Sequence, residues 1–349
     1  MASSFKTLLS NDIVTKATML NEAIPITGSI ISGTYADLNI KKFAHNMFEA
    51  VYDYPYASSS ANHIFDLTYG YASGSAVSSS SNTDNVKKCQ IYNQMAQVLA
   101  GFDENGNLRQ FDEDGQLGTG AKYRSCVFLN FSRLLVKDEI KKGSFKYQYA
   151  TAGANLTIED AGAATSYKVN SPAGEYGILY ITATGSYAAG GFHTGSNGQI
   201  PVGLIYYQAG VAVLNASTGS IAGVTAPLNA FIATGSIDSI LGSSTITAIA
   251  DGFRAGTTNI QFQNTTEINS TEYFCRADHN EFGYSSNKTF LSGSKIVVKQ
   301  STQDVGAAYV TKVGLYSADN ALLACASLSE PIKRETGNTS TTFKLRLDY

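Results

Sequence analysis

Ala308-Tyr309-Val310-Thr311-Lys312-Val313-Gly314-Leu315-Tyr316 alternates, with Tyr309, Val313 and Leu315 on one face. Ser317-Ala318-Asp319-Asn320 follows as a polar turn, and Ala321-Leu322-Leu323-Ala324-Cys325-Ala326-Ser327-Leu328 returns. After a loop at Ser329 to Ser340, Phe343, Leu345, Leu347 and Tyr349 point one way. Thr342, Lys344, Arg346 and Asp348 point the other. A period of two over runs of this length is what a strand with one buried face produces. Val305 to Tyr349 is therefore expected to form three strands in a row, with the C-terminus held in a sheet.

Outward from this stretch, the chain has 349 residues, enough for two or three domains with real cores. Only 15% of the residues are charged, against roughly 25% in an average globular chain. Gly, Ser, Thr, Ala, Asn and Tyr replace the missing charge, with 32 Gly, 21 Tyr and no Trp. Such a composition suits a β-rich protein whose surfaces face other proteins, because surfaces facing water carry more charge. A net charge of −3 without any Lys/Arg block argues against direct nucleic-acid binding. No run of about 18 apolar residues exists, so no membrane partner is expected. Met1 to Asn11 has no apolar segment of the kind a secretory signal needs. Cys89, Cys126, Cys275 and Cys325 lie far apart and form no C-x₂-C pair. Reduced and mostly buried thiols are expected, with no metal and no cofactor.

The rest of the chain divides by pattern. Ser3 and Ser4 could cap a first helix through Phe5, Leu8, Leu9 and Ile13, and an N-terminal arm is the alternative. Thr27 to Tyr35 reads as a short strand or loop. Ile40, Phe43, Ala44, Met47, Phe48 and Val51 fit the spacing of an amphipathic helix that ends by Pro55. His63 to Tyr69 reads as a strand, and Gly74 to Ser81 as a serine-rich loop. Thr83 or Asp84 caps a second helix with Tyr92, Met95, Ala96 and Leu99 on one face and Gly101 as its stop. Tyr123 to Phe131 reads as a buried strand, and Phe145, Tyr147 and Tyr149 alternate as another.

Between Ala150 and Ile268 only Lys168 and Arg254 carry positive charge. Apolar pieces recur there at Tyr176 to Ile181, Val202 to Tyr207, Val211 to Leu214 and Ile246 to Ile249. Turn-like segments such as Gly195 to Gly198 separate them, and Leu228 to Leu241 is a candidate helix. Tyr273 to Ala277 and Lys295 to Lys299 read as further strands. The expected fold class is α+β, mainly β: antiparallel sheets with a few N-terminal helices and an inserted all-β module. Residues 1–150 and 271–349 would form a discontinuous base, with residues 151–270 inserted between them.

Few residues invite chemistry. Phe102-Asp103-Glu104-Asn105-Gly106-Asn107-Leu108 is echoed by Phe111-Asp112-Glu113-Asp114-Gly115-Gln116-Leu117. Neither half has the Gly and Glu positions of a twelve-residue calcium loop, so plain turns are the better reading. His45, His63, His193 and His279 have no spaced partner, and Asp278-His279 are strand neighbours that face opposite ways. No nucleophile or phosphate-loop motif is present, so no catalytic residue is expected. Tyr52, Tyr54 and Tyr56 are the candidate docking surface, since Tyr offers large contact area with a polar tip. The plainer reading is partial burial at a helix end.

Ala308 to Tyr316, the turn Asp319-Asn320 and Leu322 to Ile332 resemble a hairpin of virion proteins from tailed bacteriophages, such as baseplate and fibre-attachment proteins. Ala61 to Asp66, Ile91 to Leu99 and Tyr273 to Ala277 are similar to segments of virion structural proteins in large contractile-tailed phages of marine bacteria, the cyanophage-like group. The resemblance covers the base on both sides of residues 151–270 and not that segment itself. It implies a non-enzymatic virion subunit of the tail, baseplate or neck, assembled in the host cytoplasm. Its partners would be other virion proteins and copies of itself, as a homo-oligomer. A capsid decoration or vertex protein is the first alternative. A carbohydrate- or receptor-binding module is the second, with a host-surface glycan as its partner. A polysaccharide depolymerase would need paired carboxylates in a cleft, and Asp112 and Asp114 are the nearest pair.

Overall fold

A computed structural model describes residues 5–26, 38–72, 83–116, 122–150, 155–160, 162–181, 200–216, 245–279, 281–283, 291–293, 295–296, 301, 303, 307–335 and 340–349. The expectations for Ser3-Ser4, Thr27 to Tyr35, Gly74 to Ser81, Gly195 to Gly198, Leu228 to Leu241 and Val297 to Lys299 lie outside the described residues, as does His193.

A short 3-10 turn at Ser10–Asp12 leads into β1 (Ile13–Ile26), so Phe5 to Ile13 form no helix. β2 (Ile40–Lys42), β3 (Glu49–Tyr52) and β4 (His63–Tyr71) precede helix α1 (Thr83–Leu99). β5 (Phe111–Asp112), β6 (Lys122–Tyr123) and β7 (Ser125–Phe131) come next, then α2 (Arg133–Val136), β8 (Glu139–Ile140), β9 (Lys146–Ala150) and β10 (Asn155–Glu159). α3 (Ala163–Ser166) is followed by β11 (Lys168–Ser171), β12 (Gly174–Ile181), β13 (Ile200–Tyr206) and β14 (Val211–Asn215). Helix α4 (Ile246–Gly256) feeds the long β15 (Thr257–Ala277). β16 (Leu291–Ser292), β17 (Lys295–Ile296), β18 (Ala307–Tyr316), β19 (Leu322–Glu335) and β20 (Thr341–Asp348) complete the chain. The protein is α+β and mainly β, with antiparallel sheets.

The chain divides into a central unit, Leu20–Thr266, and a terminal unit, Met1–Met19 with Glu267–Tyr349. These bounds differ from the expected 150 and 270, and hydrogen bonding gives the reason. In the central unit the strands run β15-β9-β10-β12-β13-β14-β7-β4-β3-β2. β14 pairs directly with β7, placing Val213 opposite Phe128, and β10 pairs with β9. The described strands β10, β12, β13 and β14 therefore continue the sheet that β9 and β7 belong to. The low charge of this segment has an interior cause: Leu179, Val202, Leu204, Ile205, Val213 and Leu214 are all buried.

Two local expectations are overturned. The stretch from Ile40 to Val51 is a hairpin of β2 and β3, with Ile40 opposite Val51 and Lys42 opposite Glu49. Asn46 takes a positive φ of 53° at its turn, a conformation that Asn tolerates better than most residues. Ile246 to Ile249 begins a helix and not a strand. Thr245 Oγ1 accepts from the Ala248 N–H at 3.1 Å, and Ile246, Ile249, Ala250, Phe253 and Arg254 form its buried face.

Helix α1 forms where expected. Its face of Ile91, Tyr92, Ala96 and Leu99 is buried, and Gly101 follows it with φ of 76°. It packs on β4 so closely that a Cβ on Gly70 would lie 2.8 Å from the Tyr92 backbone nitrogen. The Tyr92 hydroxyl donates to Tyr123 O at 2.6 Å and accepts from the Phe111 N–H at 3.3 Å, tying α1 to the β5–β6 pair.

The terminal unit is built differently. β20 pairs with the second half of β15, from Ser270 opposite Asp348 to Ala277 opposite Thr341. Among the described residues β18 and β19 pair only with each other, so the last three strands do not form one continuous sheet there. The alternation of β20 holds: Leu345 is buried, and Thr342, Lys344, Arg346 and Asp348 are exposed. In β18 Leu315 is buried but Tyr309 is 60% exposed, because a register shift between Val310 and Lys312 separates them.

Candidate functional site

The residues weighed for chemistry are spent on structure. Asp103 Oδ1 accepts from the N–H groups of Asn105 and Asn107 at 2.9 and 2.7 Å. Asp112 Oδ1 accepts from those of Asp114 and Gly115 at 2.9 and 3.0 Å, and its other oxygen meets Lys122. These are side-chain turns, the plain reading of the repeat. His45 lies in the β2–β3 turn, stacked on Phe43 with centroids 5.2 Å apart, and its Nδ1 accepts from the Met47 N–H. His63 meets Asp66 at 2.8 Å, and that hydrogen bond raises its pKa. Asp278 is bonded at 2.8 Å to Lys6, which holds its carboxyl below the usual range. Among the described residues no group of His, Cys, Asp and Glu could hold a metal ion. All four cysteines are free, with Cys126 buried, Cys89 and Cys275 half-buried and Cys325 exposed. The expectation of mostly buried thiols thus fails, most clearly at Cys325, which is exposed in β19.

Tyr52, Tyr54 and Tyr56 follow a strand and not a helix. Tyr52 ends β3, half-buried with its ring edge-on to His63 at 5.5 Å. Tyr54 and Tyr56 are exposed in the turn after it, where the Tyr56 N–H donates to Leu38 O at 3.0 Å.

The largest departure from an ordinary globular surface is in the terminal unit. Among the described residues, the connected hydrophobic core runs from Ile26 to Phe262 and belongs to the central unit. Among the described residues of the terminal unit only Ala277, Ala308, Leu315 and Leu345 are buried hydrophobics. Phe5, Leu9, Ile13, Tyr309, Tyr316, Leu322, Leu323 and Ile332 are exposed instead.

Polar contacts hold this unit together. Lys6 reaches Asp278 and Glu281 at 2.8 and 2.6 Å. Arg276 meets Asp12 at 2.8 Å, and Lys344 meets Glu272 at 2.8 Å. Arg334 is buried and donates to the carbonyls of Glu281 and Asp278. Sequence reasoning missed Arg334, whose surroundings Lys333 and Glu335 look like an ordinary solvated strand end. Exposed ion pairs contribute roughly 0–1 kcal/mol each, which is little beside the ordering of this much chain.

Comparison with known protein families, with curated proteins and with solved structures found no match.

Proposed function

We propose that the protein is a non-enzymatic structural subunit of a tailed-phage virion, in the tail, baseplate or neck, acting through protein–protein assembly. The observation that carries this reading is the terminal unit, whose described residues bury only Ala277, Ala308, Leu315 and Leu345 among the hydrophobics and leave Phe5, Tyr309, Tyr316, Leu322 and Leu323 exposed. A chain of this kind gains its missing burial from neighbours, as subunits of large assemblies do. The hairpin that carries the virion resemblance, Ala308 to Ile332, lies in this same unit. The exposed Tyr54 and Tyr56 support the same reading. Other virion proteins and further copies of the chain are its partners, and the virion is its location.

Antibodies raised against the purified chain test this proposal on tailed particles from its source, by immunoelectron microscopy. Label on the tail, baseplate or neck supports it. Label on the capsid supports a decoration or vertex protein instead. Purified particles free of the chain overturn the virion reading.

A further inference from the structure

We infer that the free edge of β1 pairs antiparallel with the same edge of a second copy, about a twofold axis at Met19. The inference rests on the reading of the protein as an assembly subunit and names one of its contacts.

β1 ends the strand order, with β15 on one side and, among the described residues, no strand on the other. Every residue from Thr15 to Ala23 is exposed, so side chains on both faces of the strand lie open. The direction of the free backbone groups follows from the neighbours. The Glu22 N–H donates toward β15, to Asn264 Oδ1 at 3.2 Å. Gln263 O and Thr265 O accept from the N–H groups of Lys141 and Asp138 on the far side of β15, which leaves Asn264 between them to face β1. In β1 the even-numbered N–H and C=O groups therefore face β15. Those of Thr15, Ala17, Met19, Asn21 and Ala23 point to the free edge. Pro25, also at an odd position, has no N–H to lose from the β15 ladder. A long edge of unpaired backbone groups is a template for another extended strand.

The order of charges along the strand selects its occupant. Lys16 and Glu22 are the only charged residues of β1, and they lie at equal distances on either side of Met19. Antiparallel pairing centred on Met19 sets each Lys16 opposite the partner's Glu22, twice by symmetry. Both belong to non-hydrogen-bonded pairs, where facing side chains come closest. On the same face Val14 meets the partner's Ile24, and Thr18 meets the partner's Leu20. The registers on either side would set Lys16 opposite Leu20 or Ile24 and leave both charges unmatched. A parallel alignment in register would bring Lys16 beside the partner's Lys16 and Glu22 beside the partner's Glu22. Like charges placed opposite each other destabilise a sheet. A matching strand must carry the opposite charges in reverse order at the same spacing. β1 meets that demand itself when turned antiparallel, and the twofold pair so formed is closed.

The test uses the full chain. Sedimentation velocity at ~100 μM is expected to show a dimer or a multiple of one. Lys16→Glu and Glu22→Lys each set like charges opposite each other at both ends of the pairing. Each is expected to weaken association about tenfold or more. The double variant Lys16→Glu/Glu22→Lys exchanges the charges and should return association to near wild-type strength. Lys16 also meets Glu272 at 3.7 Å within the chain, a contact that the double variant does not rebuild. The rescue therefore reads the pairing between copies alone. Met19→Cys places two thiols across the axis, where Cα atoms of a hydrogen-bonded pair lie ~5.5 Å apart, within disulfide reach. Mild oxidation should give a covalent dimer in excess of any that wild type forms through its exposed Cys325. A monomer at ~100 μM, a double variant no stronger than the two single ones, or no added cross-linking for Met19→Cys overturns the inference. These measurements are made on the isolated chain, so their outcome is separate from whether particles carry the protein.

Discussion

Glu49 and Lys42 are cross-strand partners in the β2–β3 hairpin, with Oε1 3.4 Å from the ammonium and the carboxylate sealed from water. Lys42 also meets Asp251 at 2.6 Å, and Asp251 meets Arg254 at 2.5 Å, so two cations and two carboxylates link the hairpin to α4. Burial pushes the Glu49 carboxyl up and Asp251 adds to this, while Lys42 and Arg254 pull it down without prevailing. The folded chain therefore keeps a proton that the unfolded chain releases. The contribution of Glu49 to stability falls as pH rises from the ordinary carboxylate range through its raised folded value. Glu49→Gln should gain on wild type between about pH 4 and about pH 7 in urea unfolding. A difference in midpoint that stays constant across that range refutes this assignment.

Gly70 lets the α1 backbone approach β4 closely. The Tyr92 nitrogen, at 2.8 Å from a would-be Cβ, belongs to helix backbone and cannot rotate away. Gly70→Ala must push α1 off β4 and is expected to cost roughly 1–3 kcal/mol. Urea unfolding followed by circular dichroism checks it, and a loss below about 0.5 kcal/mol would show that the contact relaxes freely.

Legibility in the sequence followed the length of the pattern. β4, β7, β18, β20 and α1 each span enough residues for their period to show. β2 and β3 are three and four residues long, too short for a period of two, and their apolar residues happen to fit helical spacing. The helical signal of α4 is masked because Ile246 to Ile249 is by itself a short apolar run, and Phe253 and Arg254 complete the helical face only beyond it. The division into units was illegible because Val213 and Phe128 pair across a long stretch of sequence, and a loss of charge reads the same at an interface as in a core. The exposed ribbon was legible as strands, but the shift that turns Tyr309 outward was not.

Thr245 caps α4 alone, with its hydroxyl on the Ala248 N–H at 3.1 Å. Thr245→Ala should lower stability by about 0.5–2 kcal/mol, and Thr245→Ser should restore most of it. Thermal unfolding of the pair separates loss of the cap from loss of the methyl group, since a cap effect is rescued by Ser and a packing effect is not.

Asp160 and Tyr207 form a buried pair above the bare α-carbon of Gly177, where any side chain would collide with both. The Tyr207 hydroxyl donates to Asp160 Oδ2 at 2.8 Å, as does the Gly143 N–H, also at 2.8 Å. Burial raises the Asp160 pKa, and these two donors restrain the rise. Tyr207→Phe keeps the ring but removes one donor from a buried carboxylate, an expected loss of roughly 1–3 kcal/mol at neutral pH. Without that hydroxyl the carboxyl is pushed further up. The folded form then favours the proton more strongly, and the deficit against wild type shrinks as pH falls and Asp160 protonates. Unfolding curves at about pH 7 and about pH 4 decide the matter. A deficit that is equal at both values means that the hydroxyl acts through packing and not through the charge of Asp160.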